Sequence, residues 1–259
     1  MIKKSSFHSF SYAEYKNILQ DIQKTRKLVD FLEVSENVPF VVLRHDVENT
    51  PIKAYALAQI ESEMNIKSSY FFQLRSSGYN ILSRENREIV QGIADMGHYI
   101  GLHYYVEKKM PQKDIEKDIL LDISTMNRFF PFHIHRFSIH RPHDWILRMN
   151  IMFPDIINTY SEPYFHFIEN LSNTTWIKNG EGENHFRIKY ISDSGHVWKY
   201  GYPDACALQK HPKVQLLTHP YSWSEKGLDR KENFEHIVNI KKREFLSFLQ
   251  RENKNCPLS

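Results

Sequence analysis

Val38-Pro39-Phe40-Val41-Val42-Leu43-Arg44-His45-Asp46 is a short apolar run that ends in a cation, an imidazole and a carboxylate. An apolar run of this length, bounded by a proline and by charge, predicts an interior strand of a parallel sheet over 38–43. Parallel strands deliver their last residues to the carboxyl-end face of the sheet, where α/β proteins bind their ligands. Three polar groups in succession are costly to bury unless they pair with one another or with a metal. An Arg44–Asp46 ion pair capping the strand is the purely structural solution, and an active site is the chemical one.

The flanking sequence sets a rhythm around this strand. Ser11 and Glu14 stand at capping-box spacing before the apolar stripe of a helix over 11–33. Pro51 opens a second helix over 51–65. Strand 68–74, helix 84–96 ending at Gly97, strand 98–103, helix 112–129 and strand 135–139 follow. This alternation implies a parallel sheet with right-handed crossovers. The second half is less regular, with short strands expected at 156–160, 175–177, around 190 and at 214–218. A closing helix over 232–251 turns Phe234, Ile237, Ile240, Phe245, Phe248 and Leu249 inward. Seven or eight short strands in 259 residues favour a barrel over an open sheet, without repeat or linker. The fold class expected is α/β, a distorted (β/α)7-type barrel forming one domain over 1–259.

Bulk properties narrow the function. A formal charge of +3, evenly spread, does not point to nucleic acid. No run reaches membrane-span length. The charged N-terminus lacks the apolar stretch of a signal peptide, and two distant cysteines, Cys206 and Cys256, suggest no disulfide framework; a cytoplasmic setting is expected. Fourteen histidines are more telling, because several close strand-like runs. His103 closes the third strand, and Glu107 would share a face with it if 103–107 formed a helical turn. His140-Arg141-Pro142, Asp193-Ser194-Gly195 with Trp198, and His219-Pro220 with Trp223 follow later strands. Each is weak alone, but one parallel sheet brings all these ends together.

In that order the motifs resemble the polysaccharide deacetylase superfamily, the NodB-homology domain of carbohydrate esterase family 4, over roughly residues 38–225. The resemblance implies a distorted barrel and removal of acetyl groups from sugars with a divalent metal, Zn²⁺ being best suited to the donors. Asp46 matches the family's first-motif ligand, and His45 stands where the catalytic base would be. His103 matches a second-motif ligand, while Glu107 occupies the later ligand position. His140-Arg141-Pro142 resembles the motif whose Arg orders the base, with Arg141 or His140 in that register. Asp193 and Trp198 resemble the fourth motif, and Leu217-Thr218-His219 the fifth, whose His protonates the leaving group or steadies the tetrahedral intermediate; His219 is the candidate acid.

A third protein ligand is needed, and the candidates are His140 and Glu107. His140 is favoured because it closes its own strand, whereas Glu107 lies in a charged run. His45 would be the base, or else would orient Asp46 or point into the barrel. Arg44 would fix one side of the pocket by pairing with Asp193, and Tyr105, Trp198 and Trp223 would offer faces to a sugar or else fill the core. The departures resemble a divergent branch associated with O-antigen and capsule biosynthesis, with a small-molecule or carrier-linked sugar as partner. A metal hydrolase of another ester or amide, and a degenerate barrel that only binds a glycan or a partner protein, are the rival expectations.

Overall fold

The computed structural model describes residues 8–35, 37–161, 164–165, 188–253 and 256–258. Helix α1 (Tyr12–Thr25) starts at Ser11, whose hydroxyl accepts from the Glu14 amide, and buries Tyr15, Ile18, Leu19 and Ile22. It stops earlier than the expected helix over 11–33. Residues Lys27–Val29 leave it to form strand β1, and a 3₁₀ turn follows at Phe31–Glu33.

The cause is tertiary. Strand β2 (Phe40–Val47) pairs along one edge with strand β8 (Lys213–Thr218) from Phe40 to His45. On its other edge, strand β3 (Ser69–Phe72) begins only opposite Arg44. The backbone of Phe40–Val42 would be left without partners there, and β1 supplies them. That demand outweighs the helical pattern of the local sequence.

The remaining elements are helix α2 (Pro51–Glu63), α3 (Arg84–Asp95), β4 (Tyr99–Tyr105), α4 (Gln112–Phe129), β5 (Arg136–His140), α5 (Asp144–Leu147), β6 (Ile157–Asn158), β7 (Lys189–Ser192), α6 (Ala205–Lys210) and α7 (Arg230–Glu252). The strand expected at 156–160 shortens to two residues, and the one at 175–177 lies outside the described residues. The sheet runs β6-β5-β4-β3-β2-β8-β7, with β1 attached to β2, and every pairing is parallel. Among the described residues no helix is long and apolar enough to cross a membrane, and Cys206 and Cys256 are free thiols.

Side chains prove that this path curls. Gln215 on β8 donates to the carbonyls of Thr159 and Tyr164, at 3.1 and 2.8 Å, just beyond β6. Five strand spacings separate β8 from β6, about 24 Å in a flat sheet, far beyond the reach of a glutamine. Phe165 also packs its ring 5.5 Å from that of Tyr190 on β7. The seven-stranded path is therefore bent into a half-barrel whose two ends approach each other.

Alternation sorts the side chains of β2. Val41 and Leu43 face outward and pack with Ile18, Leu19 and Ile22 of α1, while Phe40 and Val42 face inward with Phe71 and Ile157. The lower interior is closed by Arg136, fully buried, which donates to Asp30 at 2.5 Å and to Ser69 at 2.8 Å. Helix α7 is held less tightly than its sequence suggests. Ile237 is buried, but Phe234, Phe245 and Phe248 are 43%, 62% and 45% exposed, and Phe245 and Phe248 line an open groove between α7 and helices α2 and α3.

Gly101 on β4 marks where the wall closes most tightly. A Cβ there would stand 2.4 Å from Phe71 Cδ1 and 2.9 Å from Arg136 Cγ. Gly101→Ala is therefore expected to cost about 1–3 kcal/mol through overpacking, measured as a lower urea midpoint with an unchanged m value. An unchanged midpoint would contradict this packing of the barrel interior.

Candidate metal centre

Strand β2 continues through Arg44, His45 and Asp46 to Val47, so those three residues alternate across the barrel wall. Arg44 and Asp46 face inward, as does Glu48 just past the strand end. Asp46 and Glu48 line a cavity of about 490 Å³ at the carboxyl-end mouth of the barrel. Tyr160, Tyr190, Tyr200, Tyr221 and Phe234 form much of its aromatic wall.

Three donors converge at this cavity, and two of them, Glu48 and His103, line it. His103, on the inner face of β4, places Nε2 3.0 Å from Nδ1 of His140, the last residue of β5. Glu48 Oε1 lies 3.0 Å from that Nδ1 and 3.9 Å from His103 Nε2. Donor atoms each about 2.0–2.1 Å from a tetrahedral ion stand roughly 3.3 Å apart, and these three separations bracket that value. Two imidazoles and a carboxylate are a donor set that suits Zn²⁺ and other divalent ions. The residues present therefore fit a metal.

The shell behind them fits as well. The Ser138 hydroxyl donates to Asp46 Oδ1 at 3.0 Å, so its oxygen accepts from His103 Nδ1 at 2.7 Å. This hydrogen-bond pattern assigns the proton to Nδ1 and leaves a lone pair on Nε2, aimed at Glu48 and His140. Burial pushes His103 below the ordinary imidazole value, against the pull of Asp46 and Glu48, which keeps it neutral and able to ligate. Burial alone would raise Glu48, but the surrounding imidazoles of His103, His140 and His219 hold it well below the usual carboxylate range. Burial likewise opposes ionisation of Asp46, and the adjacent Arg44 charge outweighs it, so this carboxyl also sits low.

Beside the trio stands an imidazole–carboxylate pair. His219 follows β8, and its Nδ1 lies 2.7 Å from Asp193 Oδ1. The buried Asp193 also accepts from the His219 amide at 2.9 Å and from Trp223 Nε1 at 2.9 Å. Burial lowers His219, but the Asp193 hydrogen bond and charge win and push it up to about 9. Its Nε2 faces the cavity, 3.9 Å from Glu48 Oε1.

Several expected roles move. Asp46 touches His103 through the wrong nitrogen for a shared ion, Nδ1 at 3.8 Å, so it supports the trio from behind while Glu48 takes the ligand position. Glu48 was legible in principle, because positions 44, 46 and 48 share one face of an extended chain. His45 is turned to the outer face, with Nδ1 2.7 Å from Thr218 Oγ1 and Nε2 2.8 Å from Glu61 Oε1. Its ring stacks on Tyr70 at 4.2 Å, so it cannot take a proton from water in the cavity.

Glu107 is exposed and lines a separate depression, because β4 stays extended through Tyr105 and no helical turn joins 103 to 107. Arg44 pairs with Asp46 rather than Asp193 and also bonds Thr159 and the Tyr160 hydroxyl. Arg141 lines the cavity mouth but does not hold Asp46. Trp223 is fully buried with its indole on Asp193, and Trp198 packs against Phe10 and Tyr202 outside the cavity. Tyr105 touches the His140 ring at 5.2 Å but faces the depression that holds Glu107.

No family model and no curated protein matches the chain. Among solved structures it is similar to a family 4 carbohydrate esterase from Bacillus anthracis, with 10% identity over 89% of this chain and 86% of that one and a TM-score of 0.45. A CE4 family pseudoenzyme from Bacillus anthracis matches at 14% identity, covering 88% and 76%, also with a TM-score of 0.45. The chitin deacetylase of the fungal pathogen Colletotrichum lindemuthianum matches at 14% identity, covering 79% and 84%, with a TM-score of 0.40.

The geometry ranks the residues for metal affinity. By calorimetric titration with Zn²⁺, Glu48→Gln and His140→Gln are expected to abolish tight binding. Asp46→Asn, acting through Ser138 and His103, should weaken it by about 10–100-fold, and Glu107→Gln should leave it unchanged. Binding lost with Glu107→Gln but kept with Glu48→Gln would refute the trio.

Proposed function

We propose that this protein is a metal-dependent hydrolase that removes an acetyl group from a sugar. The reading rests on one observation: two imidazoles and a carboxylate converge within 4.8 Å of one another beside a buried His–Asp pair, in an aromatic-walled cavity. The order of motifs along the chain, which resembles that of polysaccharide deacetylases, supplies the reaction class. Glu48, His103 and His140 would hold the ion. A bound divalent cation supplies the Lewis acid that polarises the acyl oxygen and lowers the pKa of water toward neutrality.

The chain's own groups divide the remaining work. Asp46 is the carboxylate on the cavity wall outside the ligand trio. Arg44 keeps it ionised, so it accepts the proton of the attacking water. His219 is held protonated by Asp193 and presents its Nε2 proton to the departing nitrogen or oxygen. Asp193 is fully occupied by His219 and Trp223, which fixes the imidazole's orientation. Tyr190 and Tyr221 on the cavity wall would pack against a pyranose. The substrate is a cytoplasmic sugar of surface-polysaccharide synthesis, the setting that the motif order resembles.

The test is acetate release from N-acetylated sugars by the Zn²⁺-loaded protein. His219→Gln should lower kcat about 10²–10⁴-fold with little effect on metal content. The pH profile carries the sign: catalysis that needs protonated His219 is full below its pKa and lost above it. Asp193→Asn removes the group that raises that pKa, so the alkaline limb should move to lower pH. An alkaline limb that stays in place would exclude His219 as the acid.

A further inference from the structure

Arg141 and Arg230 stand at the mouth of the same cavity, and neither makes an ion pair among the described residues. They come from different elements. Arg141 follows β5 directly, and Arg230 is the first residue of α7. The acidic groups closest in sequence to Arg230 are otherwise engaged: Asp229 accepts from the Glu232 amide and Glu232 from the Asp229 amide. Within the cavity, Asp46 is answered by Arg44, and Glu48 belongs to the ligand trio. The rim therefore carries two guanidinium charges that no carboxylate of the described chain balances.

Arg141 also holds an unusual backbone. Its φ is +45°, in the left-handed region that costs a non-glycine residue of order 1 kcal/mol or more. A glycine would adopt this conformation freely, so the chain keeps a strained arginine where it gains nothing for folding. Next to Arg230, Phe234 lies one helical turn on and is 43% exposed, with its ring 6.0 Å from Tyr221. This places an aromatic shelf beside the second cation.

We propose that Arg141 and Arg230 form an anion subsite, and that the substrate is an N-acylated sugar carrying a phosphate or diphosphate. Guanidinium forks match phosphate oxygens in pairs, and a phosphate, with up to two charges, can accept from more than one guanidinium. The inference deepens the deacetylase reading by naming the substrate class, but its geometry stands apart from the metal.

The test uses the full chain stripped of metal with EDTA, so that phosphate cannot report on an ion. Binding of N-acetylglucosamine 1-phosphate, N-acetylglucosamine and N-acetylmuramic acid is measured by calorimetry. The phosphate is expected to bind at least about tenfold more tightly than the neutral sugar, with an advantage that shrinks as salt rises. Arg141→Gly and Arg230→Gln should each reduce that advantage, and the double variant should erase it. Arg141→Gly should melt no lower than wild type because it relieves the strained φ, which separates lost binding from lost folding. Equal binding of phosphate and neutral sugar, a preference that survives the double variant, or tighter binding of the carboxylated sugar would each overturn the proposal. Failure of acetate release with the preference intact would sink the deacetylase reading alone.

Discussion

Arg44 is a fully buried cation in the middle of the barrel, and its charge has to be answered there. Asp46, two residues along the same face, answers it at 3.4 Å, and Thr159 and Tyr160 supply the remaining hydrogen bonds. Thr159 and Tyr160 follow β6, so satisfying this one guanidinium draws the far end of the sheet over β2. The same pairing keeps Asp46 ionised, and through Ser138 it sets the proton on the rear nitrogen of His103. Curvature, charge balance and the orientation of a ligand thus trace back to a single buried ion. Removing the arginine would leave an unanswered carboxylate as well as an unfastened strand end.

Much of this architecture is legible in the chain. The apolar run before Arg44 and the alternation of periodic segments lead to a parallel sheet, and a parallel sheet gathers His103, His140, Asp193 and His219 at one end. What local pattern cannot supply is how far a strand extends. Reading β2 as ending at Leu43 leaves Arg44, His45 and Asp46 as a loop in which any side chain can face the site. Once the strand runs to Val47, strict alternation sends His45 outward and brings Glu48 inward. The tryptophans mislead for a related reason. Trp223 satisfies its indole on the buried Asp193, so a residue suited to stacking on sugars serves instead to hold a carboxylate in place. In the closing helix, periodicity finds the apolar face but does not say how much of it the body covers.

The trio sits on the ends of strands whose packing is already complete beneath it. Arg136 and Asp30 close the lower interior, and Phe71 presses against Gly101 just below His103. Ligand positions are therefore set by the barrel wall and do not depend on the ion to bring them together, unlike small domains that fold around their metal. A donor set carried by packed strands favours a preorganised site, in which little must rearrange when an ion enters.

One consequence follows from the outward turn of His45. Glu61 gathers His45, Tyr15 and Ser68 on the outer side of β2, while Asp46, Ser138 and His103 form a separate chain on the inner side. Among the described residues no hydrogen bond links the two groups, although His45 and Asp46 are consecutive. The strand thus works as an insulating partition one backbone thick, with a sealed proton store on one side and an accessible one on the other. Among the described residues no hydrogen-bonded path carries a proton through the wall from the mouth to the outer group.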